Sequence, residues 1–208
     1  MKKRMQFAFL LLSSSQLLAE VSLIQWNYNN EASAVGEGCN MDNTAFIQAG
    51  NEITVIFNDL GVSLSGHADG RTRHQKFCKL VIPAKIEKGH YFSQLAQTLS
   101  YGFVRTENTD GEVRIESSFL GKEWGMRETV KPQGHRHKPF AQMKVQKRFE
   151  IDRDVCNTPY FRTQFKAKIT VSGERKTLQD EIIMQIDGLD LRFDALGEVL
   201  PCIPVIRK

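Results

Sequence analysis

With 208 residues, 41% of them hydrophobic and 25% charged, the chain can build one domain with a real core, scarcely two, and wholesale disorder is excluded. The formal charge of +4 includes Lys2, Lys3 and Arg4; without them 25 basic residues face 24 acidic ones, so the body of the chain is close to neutral. Charge is distributed unevenly all the same. Ten Lys or Arg residues and three acidic ones lie between Lys131 and Lys168, against seven acidic and three basic from Glu174 to Glu198.

The N-terminus reads as a secretory signal peptide. Lys2, Lys3 and Arg4 precede the apolar run Phe7 to Leu12, then Ser13–Ser15 and Leu17-Leu18-Ala19. The run is too short and too interrupted by serine to span a bilayer. Residues 1–19 are therefore expected to be removed, leaving 20–208 as a single secreted or periplasmic domain that does not span the membrane.

The remaining elements read as strands. Val21–Tyr28 alternates through Ile24, Trp26 and Tyr28, and Asn29 to Asn43 is loop-like. Thr44–Ala49 and Glu52–Phe57 predict a hairpin around Gly50-Asn51, a dipeptide suited to positive φ. Asn58 to Gly70 reads as loop, and Arg73–Ile82 as a strand ended by Pro83. Between His90 and Val104 helix and strand compete, and the neighbouring strands favour β. Asp110-Gly111 predicts a turn before Glu112–Phe119. Gly121 to Pro139 is a polar excursion without periodicity, the kind of long loop that is either mobile or functional.

The strongest alternation lies between Phe140 and Val171. Ala141, Met143, Val145, Phe149 and Ile151 fall on one face, and Phe161, Thr163, Phe165, Ala167, Ile169 and Val171 repeat the pattern beyond Cys156. Period two predicts a long antiparallel hairpin with a polar Asp152–Pro159 loop. Lys147 interrupts the inward set, which marks a bulge or a position at the sheet margin. Glu181–Asp187 and Leu189–Ala195 predict a last pair about Asp187-Gly188. Short strands at roughly ten-residue spacing predict an all-β fold, an antiparallel β-sandwich of about eight to ten strands.

Cys39, Cys78, Cys156 and Cys202 make an even count in an exported chain, which predicts two disulfides in one of three pairings. The pairing without chain crossing is Cys39–Cys78 with Cys156–Cys202. Each bond would close a loop of about forty residues, worth roughly 4 kcal/mol in the chain-entropy model. No CxxC spacing suggests zinc, and no metal or other cofactor is expected.

Chemistry has few footholds. His135-Arg136-His137 with Lys131 and Lys138 reads as a solvated basic loop or an anion site working through Arg136 and Lys138; neighbouring cations oppose a metal. His67 and Asp69 near Ser63 and Ser65 supply the residue types of a hydrolytic triad, but nothing in the spacing fixes its geometry, and a nucleophile elbow is absent. Asp152/Asp154 and Asp187/Asp190 are carboxylate pairs of the sort turns favour for backbone reasons. Lys144, Arg148, Arg162, Lys166 and Lys168 form a basic ribbon on the polar face of the predicted hairpin. It lacks interleaved aromatics for base stacking, so nucleic acid is not the expected partner.

The order of motifs resembles an uncharacterised secreted family, domain of unknown function 4360. Gly36-Glu37-Gly38-Cys39, the run Ile53-Thr54-Val55-Ile56-Phe57, the Arg71 to Arg73 approach to Cys78-Lys79-Leu80, Tyr101-Gly102-Phe103, and Cys156 ahead of Phe161–Val171 carry the likeness. It implies a β-rich secreted fold and brings no catalytic residues. The expected function is thus an exported, non-enzymatic binding or structural module. It would act on an anionic glycan, an envelope lipid or a protein, through Arg136, Lys138, Lys144, Arg148, Arg162, Lys166 and Lys168. A secreted hydrolase, or an inhibitor of one, is the alternative.

Overall fold

A computed structural model describes residues 24–27, 29, 31–65, 70–86, 90–91, 94–130, 140–148, 161–193 and 200–201. Every regular element among them is a strand, and all pairings are antiparallel. The strands are β1 Ile24–Trp26, β2 Ser33–Val35, β3 Thr44–Ala49, β4 Glu52–Phe57, β5 Gly61–Leu64, β6 Arg73–Ile86 and β7 His90–Tyr91. Then follow β8 Gln94–Arg105, β9 Thr109–Phe119, β10 Lys122–Val130, β11 Phe140–Arg148, β12 Phe161–Arg175, β13 Ile182–Arg192 and β14 Leu200–Pro201. A front sheet runs β1-β6-β12-β9-β10, with β2 also on β6. A rear sheet runs β11-β8-β13-β4-β3, with β5 beside β4 on β13. β14 and β7 form a small ribbon. The fold is an all-β antiparallel sandwich with six strands in each main sheet, richer in strands than the eight to ten expected.

The inner faces supply the core. Ile82, Ile115, Phe165 and Ile169 of the front sheet oppose Val55, Leu99, Ile186 and Leu189 of the rear, all buried. Phe193 bridges the layers, its ring 5.4 Å from Trp26 and 5.1 Å from Phe119. Burial of each such side chain contributes about 1.5–3 kcal/mol, and that is why the alternation is so strict. The Cys39–Cys78 disulfide ties the segment after β2 to β6. Cys156 and Cys202, and hence their pairing, lie outside the described residues.

Several expectations give way to packing. β11 and β12 do not form a hairpin: β11 pairs with β8 in the rear sheet, β12 with β6 and β9 in the front. Alternation shows that a strand has a buried face but not which neighbour it meets. Pro83 does not end β6. Its carbonyl accepts Asn27 N at 2.8 Å, so its amide side faces the β1–β2 edge, where pairing has passed from Val81 opposite Ser33 to Ala84 opposite Trp26. No donor is needed there. Gly111 is no turn residue either. It lies inside β9 opposite Gly173, and a Cβ on it would sit 2.5 Å from Met184 Sδ, so the Met184 side chain of the facing sheet would have to move to admit one.

Asp187-Gly188 is a bulge within one continuous β13, between Ile186 and Gly188, and not a hairpin turn. Asn58 to Gly70 contains β5. The first nine residues after Gly121 form β10, joined to β9 through Leu120 and Gly121, both at positive φ (51° and 73°). Lys147 keeps register opposite Leu95 in the edge strand β11, so of its two readings the sheet margin is the right one.

Candidate functional site

The outer face of the front sheet is a grid whose rows follow from the strand registers. Across β6, β12, β9 and β10 one row reads Val81, Lys166, Ser118, Glu123. The next reads Lys79, Lys168, Glu116, Gly125, and the third Phe77, Thr170, Arg114, Arg127. All of these except Phe77 and Thr170 line a shallow, open depression of about 900 Å³. Its floor is pleated backbone and its wall is side-chain charge, with Lys79, Lys166, Lys168, Arg114 and Arg127 against Glu116 and Glu123.

Pairing within the depression is uneven. Arg114 Nη2 bonds Glu116 Oε1, and Arg127 Nη2 bonds Glu112 Oε2, so the β9–β10 side is largely neutralised. On the β6–β12 side, Lys79, Lys166 and Lys168 make no ion pair among the described residues, and Lys79 Nζ lies 5.9 Å from the centre of the Phe77 ring. Lys168 stands directly opposite Lys79, and one end of the sheet repeats the pattern with Arg162 opposite Lys85. Like charges face to face across a ladder cost stability. The fold therefore maintains a cationic stripe along β6 and β12; Glu116 and Glu112, the acids one strand away on β9, are already occupied by Arg114 and Arg127.

Beneath the stripe the sandwich is polar in places. Trp124 Nε1 donates to Gln97 Oε1 at 3.0 Å, joining the two sheets. Tyr101 donates to Glu128; burial first, and then that carboxylate, push its phenol above the ordinary range. One end of the sandwich is organised by buried arginines. Arg105 donates to the carbonyls of Val130 and Thr109, and burial lowers its pKa against the opposing pull of Asp110. Arg175, 2% exposed, donates to the carbonyls of Arg71 at 2.7 Å and Leu178 at 3.4 Å. Beside it Asp180 accepts Thr177 Oγ1 at 2.8 Å and Thr106 Oγ1 at 3.2 Å; these bonds, the Thr177 hydroxyl foremost, hold its carboxyl below the usual carboxylate range. Asp187, in the β13 bulge, is shifted upward by burial.

The residues singled out in the sequence are dispersed. Lys166 and Lys168 lie in the depression, and Arg162 lies on the same outer face near one end. Lys144 is exposed on the opposite side of the molecule, in β11 of the rear sheet, and Arg148 ends that strand opposite Gln94. The basic ribbon is thus two groups on two sheets, because its two strands are not partners. Arg136, Lys138, His135, His137, His67, Asp69, Asp152 and Asp154 lie outside the described residues. Ser63 and Ser65 face each other at 3.5 Å between hydroxyls, and Asp190 accepts Thr54 Oγ1 at 2.7 Å. Lys79, Arg114 and Arg127 were not singled out; only a strand register could align them with Lys168. No group of three or more His, Cys, Asp or Glu that would hold a metal occurs among the described residues.

No family model matches the chain, and no curated protein does. Among solved structures, TmCBM61 in complex with beta-1,4-galactotriose aligns over 79% of this chain and 90% of that one, at 11% identity and a TM-score of 0.31. A likeness at that score has no bearing on the site.

Proposed function

We propose that the protein is an exported, non-enzymatic binding module whose front-sheet depression holds an anionic glycan. The observation that carries this reading is the directly opposed pair Lys79 and Lys168, extended by Lys166, in an open depression. Three ammonium groups at pleat spacing suit a chain of carboxylates, sulfates or phosphates spread along an extended polymer, where each contact is weak and several act together. A shallow open floor accepts a polymer passing over it. Trp124 is the one aromatic among the residues lining the depression, and its indole is tied to Gln97 of the rear sheet, which leaves little stacking surface for a neutral sugar.

The Cys39–Cys78 bond and the signal-like N-terminus support export into an oxidising compartment. The motif order from Gly36 to Val171 supports a place in the secreted family named domain of unknown function 4360, and the alignment of its members on Cys39, Cys78 and Cys156 would test that.

The function is tested by titrating the protein against polygalacturonate and dextran sulfate, with neutral dextran as control, over rising salt. Binding to the two polyanions, absent for neutral dextran and weakening steadily with ionic strength, is the expected result. Equal binding of neutral and charged polymers would overturn it.

A further inference from the structure

Among the described residues the sandwich has two long edges on the same flank, β10 ending the front sheet and β11 ending the rear one. A regular edge strand is a template for another strand, and natural proteins block it with charge, proline or bulges. β11 carries Lys144, Lys147 and Arg148 and no acid, so a second copy laid along it would meet its own sign. β10 is different. Its nine residues contain no proline, its pairing with β9 runs without a bulge from Lys122 to Val130, and its charges are mixed: Lys122, Glu123, Arg127 and Glu128.

The order of those charges is self-complementary. When two copies of β10 lie antiparallel about a dyad through Gly125, Glu123 falls opposite Arg127 of the second copy, Lys122 opposite Glu128, and Trp124 opposite Met126. All four charges fall opposite one of the other sign, and each pair occurs twice; Arg127 and Glu128 would share these contacts with their partners within the chain, Glu112 and Tyr101. A dyad at Trp124 or Met126 pairs no opposite charges, and one at Glu123 or Arg127 sets a charge against itself. Only the Gly125 register suits all four.

Gly125 adds a second, independent observation. Glycine inside a strand weakens it and often marks the close approach of another backbone. Nothing among the described residues requires a glycine here: Gly125 has no positive φ, and an added Cβ would meet nothing among them closer than Ile115 O at 3.4 Å, an ordinary contact. A small residue suits a dyad at this position, where residue 125 would face its own copy across the new ladder.

From these observations we infer that β10 is a homodimerisation edge, which joins two front sheets into one continuous antiparallel sheet with Gly125 at the two-fold axis. Such an interface is isologous and closes on itself, so it makes dimers and not fibres. A dyad perpendicular to the sheet leaves both outer faces on the same side, so the two cationic stripes would share one platform. The inference does not depend on what that platform binds.

The test is the oligomeric state of the purified full protein by sedimentation, followed by three sets of variants. A wild-type dimer is expected, with Arg127→Glu driving it to monomer, and Glu123→Arg combined with Arg127→Glu restoring the dimer. Glu112→Gln, which removes only the ion pair within the chain, should leave the dimer intact. Gly125→Cys should give a disulfide-linked dimer on a non-reducing gel, since residue 125 alone faces itself. Glu123→Cys should not, because its two copies would stand roughly 14 Å apart. The cysteine pair decides the matter even if a charge variant fails to fold. A wild-type monomer at all accessible concentrations, a dimer indifferent to Arg127→Glu, or equal cross-linking by both cysteine variants would overturn the inference.

Discussion

The lysines of the front-sheet depression and the arginines of the polar end use the same charge in opposite ways. Arg175 and Arg105 are buried, and their N–H groups are spent on backbone carbonyls of Arg71, Leu178, Thr109 and Val130. Lys79, Lys166 and Lys168 stand in solvent beside one another, with no ion pair among the described residues. A cation that satisfies buried carbonyls holds the fold together. A cation set against its own kind on a wet surface costs the fold something and is available to a ligand. Charge content alone does not separate the two; hydrogen-bond satisfaction does.

That contrast can be broken most forcefully at the end cap. Arg175→Met should cost about 3 kcal/mol or more, since buried carbonyls lose charged donors, and a urea titration should show it as a lower midpoint. Lys166→Gln should stay within about 0.5 kcal/mol of the wild type in the same titration. Loss of the Cys39–Cys78 bond by paired substitution to serine should cost roughly 2–4 kcal/mol, because the bond ties down the strand that carries Lys79.

A gentler probe is pH. The folded Asp180 carboxyl is held below its unfolded value, so its contribution is present above about pH 4 and fades as pH falls through the folded value. Asp180→Asn should therefore flatten the acid limb of a stability–pH curve and leave the alkaline limb unchanged. The smallest effect is expected of Lys144→Gln on the rear sheet, which should alter neither stability nor polyanion affinity measurably.

The strands were far more legible than their partners. Gly50-Asn51 announced the β3–β4 hairpin, and Gly50 duly takes positive φ at 56°. The β9–β10 hairpin was hidden because its turn uses Leu120, a residue that rarely adopts φ near 51°, where asparagine is usual. Leu120 packs against the core, and that burial offsets the backbone cost. Glycines misled twice, since Gly111 and Gly188 serve close packing and a bulge, and a sequence shows only that a side chain is missing.

The candidate site was half visible for the same reason. Lys166 and Lys168 announce an exposed face by alternation. Lys79 and Arg114 join them only through registers between strands far apart in the chain. The expected link to Lys144 fails because β11 belongs to the other sheet.

The most direct test is a comparison of dextran sulfate affinity at low salt between wild type, the Lys79→Gln and Lys168→Gln double variant, and Lys144→Gln. The opposed-lysine account predicts a loss of at least about tenfold, or ~1.4 kcal/mol, for the double variant and none for Lys144→Gln. Equal losses in both, or no loss in the double variant, would contradict it.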